Sequence, residues 1–261
     1  MTSKILVDKR DGVGWVTINN PARRNAISLE MWEAMGAAFA DFSADGAIRC
    51  AVIHGSGDKA FASGADISQF EKNRSNAAAS EAYGKISKGV RDQIMTFDKP
   101  LIAMVRGFCM GGGLGLAMTA DMRISADDGV YAVPAARLSI AYDAVNLGNL
   151  VHLVGPSKAK EILLTAKRYS AAEALQMGLV NSVVPVAELE AAVADITDRL
   201  VDNAPLSMRA TKLTVNELIR DAALRNEELL DSLITTCFNS ADYTEGRKAF
   251  MEKRKPVFTG K

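Results

Sequence analysis

The chain has 261 residues, and its 31 basic and 31 acidic side chains leave no formal net charge. With 48% hydrophobic and 24% charged residues it has the makeup of a folded globular protein with room for a sizeable core, not of a disordered chain. Neutrality argues against a nucleic-acid partner, which selects for surplus Lys and Arg, and no apolar run reaches the roughly 18 residues of a membrane span.

The first residues, Met1 to Gly12, lack the apolar segment of a secretory signal. Cys50, Cys109 and Cys237 cannot all pair, and their spacing fits no zinc pattern. The expectation is a reduced, cytoplasmic protein without a metal site. Ile5-Leu6-Val7 and Gly14 to Ile18 read as two strands of a hairpin turned by Asp11-Gly12. After the break at Asn19-Asn20-Pro21, Ser28 is a good N-cap for a helix carrying Leu29, Trp32, Met35, Ala38 and Phe39 on one face. Ala51-Val52-Ile53 and Leu101 to Val105 read as buried strands, each followed by a glycine-containing loop and then a helical pattern. Shorter strands are expected at 122–125 and 130–133. Strands alternating with helices argue for an α/β core with parallel pairing. Beyond Pro156 helical patterns dominate, at 157–166, 171–177, 188–201, 206–219, 221–238 and 241–252.

Two loops carry the chemistry. Phe61-Ala62-Ser63-Gly64-Ala65-Asp66-Ile67 follows one strand, and Gly107 to Gly115 follows the next. Small residues there either turn the chain or let a ligand approach backbone N–H groups. Two such N–H groups from separate loops, converging on one oxygen, would stabilise an oxyanion, at about 3 kcal/mol per donor. The dinucleotide pattern G-x-G-x-x-G fails, because Leu116 stands where its last glycine should fall. There is no phosphate loop and no G-x-S-x-G elbow. The two histidines, His54 and His152, read as structural. Asp143 lies in an otherwise apolar stretch, Ser139 to Val145. A carboxylate there must be solvated, paired or shifted in pKa, or it caps a helix starting at Ala144.

The stretches Gly57 to Ile67, Gly107 to Asp121, Ala171 to Asn181 and Phe250 to Pro256 together resemble the crotonase family, also called the enoyl-CoA hydratase/isomerase family. The resemblance covers almost the whole chain. It implies a spiral of β-β-α units over 1–200 followed by a C-terminal helical region, 201–261, used to build trimers or hexamers. It implies an acyl-CoA thioester substrate, with coenzyme A as part of the substrate and no separate cofactor. The thioester oxygen would sit between the N–H groups of Ala65 and Gly112. By position, Arg23, Arg24, Ser63, Ala65, Asp66 and Ile67 would line the CoA path. Phe250 and Lys253 would reach the CoA of a neighbouring subunit, within a tail, 245–261, that holds six basic against two acidic residues.

The chain departs from the family where water is handled. Hydratases of the family use two glutamates, and Gly115 and Ala135 stand in their places. Neither can move a proton. Asp143, eight residues beyond Ala135, is then the candidate acid/base, in a position where dienoyl isomerases and aromatic dehalogenases of the family have an aspartate. Tyr142 falls where a decarboxylating member has a tyrosine. The expected activity is a lyase or isomerase reaction through an enolate. The alternatives are a decarboxylase using Tyr142 and a silent acyl-CoA binder.

Overall fold

A computed structural model describes residues 3–66, 77–142 and 144–261, with 77–83 given by backbone alone. The hairpin forms as expected. Strands β1 (Ile5–Arg10) and β2 (Val13–Ile18) pair antiparallel, and Asp11 and Gly12 turn the chain with φ of 51° and 76°. Positive φ at both central residues matches the right-handed twist of the strands, which is why Asp-Gly serves here. Helix α1 (Leu29–Ala44) starts after Ser28 and buries Met31, Trp32, Met35, Phe39 and Phe42.

A repeating pattern follows. A long strand enters one sheet, a three-residue strand enters a second sheet, and a helix returns. The first unit is β3 (Cys50–Gly55), β4 (Ala60–Ala62) and α2 (Ala77–Met95). The second is β5 (Leu101–Val105), β6 (Phe108–Met110) and α3 (Gly112–Ala117). The third is β7 (Met122–Ala126), β8 (Val130–Ala132) and α4 (Ala144–Thr165). Then come β9 (Tyr169–Ser170), α5 (Ala171–Gln176) and β10 (Ser182–Val184). The six-stranded sheet has the order β1-β2-β3-β5-β7-β10, parallel except at the hairpin, and the four-stranded sheet runs β4-β6-β8-β9. This is the β-β-α spiral that the family resemblance implies, ending in α6 (Leu189–Asp202), α7 (Pro205–Leu218), α8 (Glu227–Phe238) and α9 (Ala241–Glu252).

The central parallel strands β3 and β5 are buried on both faces over most of their length, so they read as continuous apolar runs. Along β3, Ala51 and Ile53 face the main core with α1, while Cys50 and Val52 face Leu189 and Val193 of α6. Leu101 and Ala103 of β5 repeat the first set, and Ile102 and Met104 the second.

Two expectations are corrected. The helix expected over 221–238 is a short 3-10 turn, Ala222–Leu224, and then α8. Asn226 splits the run, because its side-chain oxygen accepts the Leu229 N–H and caps a new helix. The helix expected to begin at 157 is the second half of α4, which reaches back to Ala144 across a non-helical Gly155 (φ 75°) before Pro156. No helix among the described residues is long and apolar enough to cross a membrane.

Candidate active site

The two glycine-containing loops meet where β4 and β6 end. The first is held by Ile27, which forms an isolated parallel bridge with Ala65. The Ile27 N–H donates to Gly64 O at 2.8 Å and the Asp66 N–H donates to Ile27 O at 3.1 Å. This pairing occupies the residues either side of Ala65 and turns the Ala65 N–H away from the bridge. In the second loop the Gly111 N–H donates to Ala132 O at 2.9 Å, and Gly111 adopts φ 51° to start α3. Gly112 is the first residue of α3, so its N–H has no acceptor one turn back. Among the described residues, neither the Ala65 nor the Gly112 N–H has a protein acceptor.

Burial singles out the same two residues. Gly64 and Asp66 are buried and Ala65 between them is half-buried; Gly111 and Gly113 are buried and Gly112 between them is half-buried. The loops are in contact. A Cβ on Gly64 would lie 3.5 Å from Gly112 N, and a Cβ on Gly112 would lie 3.8 Å from Ala65 N. Two unsatisfied N–H groups thus stand side by side at one surface point, an arrangement able to hold an anionic oxygen.

Arg23, Arg24, Ser63 and Asp66 surround the first loop. Arg23 Nη1 pairs with Asp66 Oδ1 at 2.9 Å, with the Asp66 side chain 8% exposed and that of Arg23 52% exposed. The Ser63 N–H donates to Arg24 O at 3.0 Å, and Ser63 Oγ donates to Arg23 O at 3.3 Å. The Arg24 guanidinium lies over the Phe108 ring at 5.2 Å. These residues brace the loop as well as facing its surface.

A residue that sequence reasoning missed anchors them. Asn25 is fully buried, and its Nδ2 donates to Ser56 O at 2.9 Å and to Ala60 O at 2.7 Å. Its Oδ1 accepts the Asn20 N–H at 3.0 Å. Arg24 and Asn25 both have positive φ, 51° and 56°, which asparagine tolerates better than most residues. An asparagine just past a proline break was the available signal.

Ile67 and Asp143 lie outside the described residues. Tyr142 is half-buried, packs on the main core, and brings its hydroxyl within 3.4 Å of where a Gly111 Cβ would stand. Gly115 lies on the buried side of α3, and Ala135 is buried in a 3-10 turn, Pro134–Arg137. Phe250 and Lys253 are not brought to the two loops within this chain. Phe250 is 86% exposed on α9 and borders a recess of about 460 Å³ with Tyr243, Arg247 and Phe258. Lys253 is the left-handed cap of the same helix.

The histidines stand apart from the loops. His54 Nε2 is 2.9 Å from Thr17 Oγ1, its ring meets Trp15 edge-on, and burial holds its pKa below the ordinary value. His152 is exposed and lines a groove of about 1450 Å³ between α4 and α7. Ala65, Gly112 and Tyr142 do not line that groove, so it is not the site of the paired N–H groups. The Cys50 and Cys109 thiols are buried, and burial pushes Cys50 up to about 12 and raises Cys109 further, so both are poor nucleophiles. No group of three metal-ligating side chains occurs among the described residues.

Residues 8–261 match the family model described as enoyl-CoA hydratase/isomerase. The chain is 36% identical over 257 residues to a crotonyl-CoA hydratase of Syntrophomonas wolfei, covering 98% of each chain. It is 34% identical over 273 residues to a carnitinyl-CoA dehydratase of Salmonella typhi, covering all of both. The crystal structure of an enoyl-CoA hydratase/carnithine racemase from Magnetospirillum magneticum superposes with a TM-score of 0.95 at 37% identity, over 100% of this chain and 97% of that one.

Proposed function

The chain belongs to the enoyl-CoA hydratase/isomerase family, and from that premise we propose that it acts on an acyl-CoA thioester through an enolate held by Ala65 and Gly112. The observation that carries this reading is the pair of acceptor-free N–H groups on touching loops. Charge that builds on the thioester oxygen meets two fixed dipoles, which need little reorganisation to stabilise it. Asp143 takes the proton from Cα. An isomerisation returns that proton further along the chain and needs one carboxylate, whereas hydration as the family runs it needs two. With Gly115 and Ala135 in the glutamate positions, one carboxylate fits better. Arg23, Arg24, Ser63, Asp66 and Ile67 line the path of the CoA, and Phe250 and Lys253 serve the CoA of a neighbouring subunit in a trimer or hexamer. The Tyr142 hydroxyl beside Gly111 favours one second reading, in which the enolate arises by loss of carbon dioxide and Tyr142 protonates it.

The test is a panel of acyl-CoA thioesters in heavy water, followed by mass spectrometry for deuterium at Cα. Exchange is expected with at least one thioester, and Asp143→Asn should slow it by roughly 10²–10⁴-fold. Unchanged exchange in that variant removes Asp143 from the mechanism. Binding of thioesters without any exchange identifies a silent binder instead.

A further inference from the structure

The carboxamide of Asn25 is fully buried, and the chain itself takes up each of its polar atoms. Nδ2 donates to Ser56 O and Ala60 O, and Oδ1 accepts the Asn20 N–H at 3.0 Å and, more weakly, the Ser56 hydroxyl at 3.5 Å. A satisfied carboxamide in a dry site acts as a spacer of fixed length, because moving it strands several buried partners at once. The chain is pressed around this one. A Cβ on Gly55, at the end of β3, would lie 2.6 Å from Asn25 Nδ2 and 2.3 Å from Ala60 O, at the start of β4.

This spacer is the first rung of a ladder that leads to Ala65. After Asn25 Nδ2 to Ala60 O at 2.7 Å come the Ser63 N–H to Arg24 O at 3.0 Å, the Ile27 N–H to Gly64 O at 2.8 Å and the Asp66 N–H to Ile27 O at 3.1 Å. The Arg23–Asp66 ion pair closes the far end. Ala65 gives no N–H to the ladder, so the direction of its N–H follows from Gly64 and Asp66, both held by Ile27. Between Asn25 and Ile27 stands only Ala26, whose N–H donates to Arg23 O at 3.1 Å and whose carbonyl accepts Asn20 Nδ2 at 2.9 Å. A shift at Asn25 therefore passes on to Ile27 with little slack to absorb it. We infer that Asn25 is a positioning residue, whose carboxamide sets the aim of the Ala65 N–H and through it the rate of enolate formation. This rests on the thioester reading above and deepens it.

Infrared difference spectroscopy with butyryl-CoA carrying carbon-13 at the thioester carbonyl tests it, because hydrogen bonds to that oxygen weaken the C=O bond and lower its stretching frequency. The band is expected to fall when the wild type binds the thioester. Asn25→Gly keeps the left-handed turn without strain but loses the donors. Asn25→Asp keeps the size and the acceptor but turns an oxygen toward two carbonyls. Each variant should give back about half of the fall, and kcat for Cα exchange should drop about tenfold to a hundredfold with KM within about threefold of wild type. A loss of stability alone moves neither the band nor kcat in protein that circular dichroism shows to be folded. An unchanged band and kcat in a folded variant overturn the role of Asn25 and leave the thioester reading standing. A wild type that does not bind butyryl-CoA, or binds it without lowering the band, overturns the thioester reading and this inference with it. Should one variant fail to fold, the other decides; failure of both assigns Asn25 to the fold and not to the rate, and overturns the inference.

Discussion

Gly113 is packed against Ala62 so closely that a Cβ on Gly113 would lie 2.2 Å from the Ala62 carbonyl oxygen. This contact joins the end of β4 to the start of α3, and so sets the distance between the loops that carry Ala65 and Gly112. Backbone atoms on both sides leave no flexible side chain to yield. Gly113→Ala must therefore push the loops apart by something on the order of 1 Å. A displacement of that size costs around 10² in rate when it misplaces a reacting group. The expected outcome is a roughly hundredfold loss in Cα exchange with the best thioester of the panel, with secondary structure by circular dichroism retained.

Gly112→Pro removes one N–H from the pair while keeping a residue suited to the first position of a helix. Loss of one oxyanion donor costs about 10²–10³ in rate. The expected result is a fall of that size in kcat for any enolate reaction, with a much smaller change in KM. Equal turnover with an intact fold would remove Gly112 from the site.

Asn25→Ala deletes the side chain that ties the Arg23–Arg24 turn to Ser56 and Ala60. It takes a donor from the buried Ala60 carbonyl and from the part-buried Ser56 carbonyl, and puts alanine at positive φ. The expected cost is about 3 kcal/mol, which for a chain of this size lowers Tm by roughly 6–12 °C. Differential scanning calorimetry measures it. A shift below 2 °C would show that the turn holds by other means.

The C-terminal tail should loosen in acid. Glu245 accepts from Arg254 Nη1 at 2.6 Å and Nη2 at 2.9 Å and from the Val257 N–H at 2.9 Å, and these partners lower its pKa to about 2. A carboxylate whose folded pKa lies below its unfolded value of 4.5 stabilises the fold fully above that value. The contribution falls away as pH drops from 4.5 toward 2. Hydrogen exchange at the Val257 amide should rise across that window relative to the intrinsic rate. Glu245→Gln should show the fast, pH-independent relative rate throughout.

Much of the fold was legible because its signals are local. Asp11-Gly12 announced the hairpin, Ser28 the start of α1, and the apolar runs at 51–53 and 101–105 the two central parallel strands. β4 and β6 were read as loops, since three residues are too few to show alternation and their pairing partner comes from the next unit of the spiral. Asn226 hid its helix start inside an apolar pattern that ran through it. In the site, the glycine loops stood out by composition. Asn25 did not, because a lone asparagine carries no periodic signal.

From residue identity alone came the family, the two small-residue loops, the glycine and alanine in place of both glutamates, and the lone Asp143 near them. Those are properties of which side chains exist, and they hold in any conformation. Tertiary packing decided the rest: that the Ala65 and Gly112 N–H groups come to one surface point, and that the Tyr142 hydroxyl comes beside Gly111. The reason is distance along the chain. Each pair is joined only by backbone that travels through a sheet or a helix turn in between, and the contact exists once the two sheets and α4 close on a shared core.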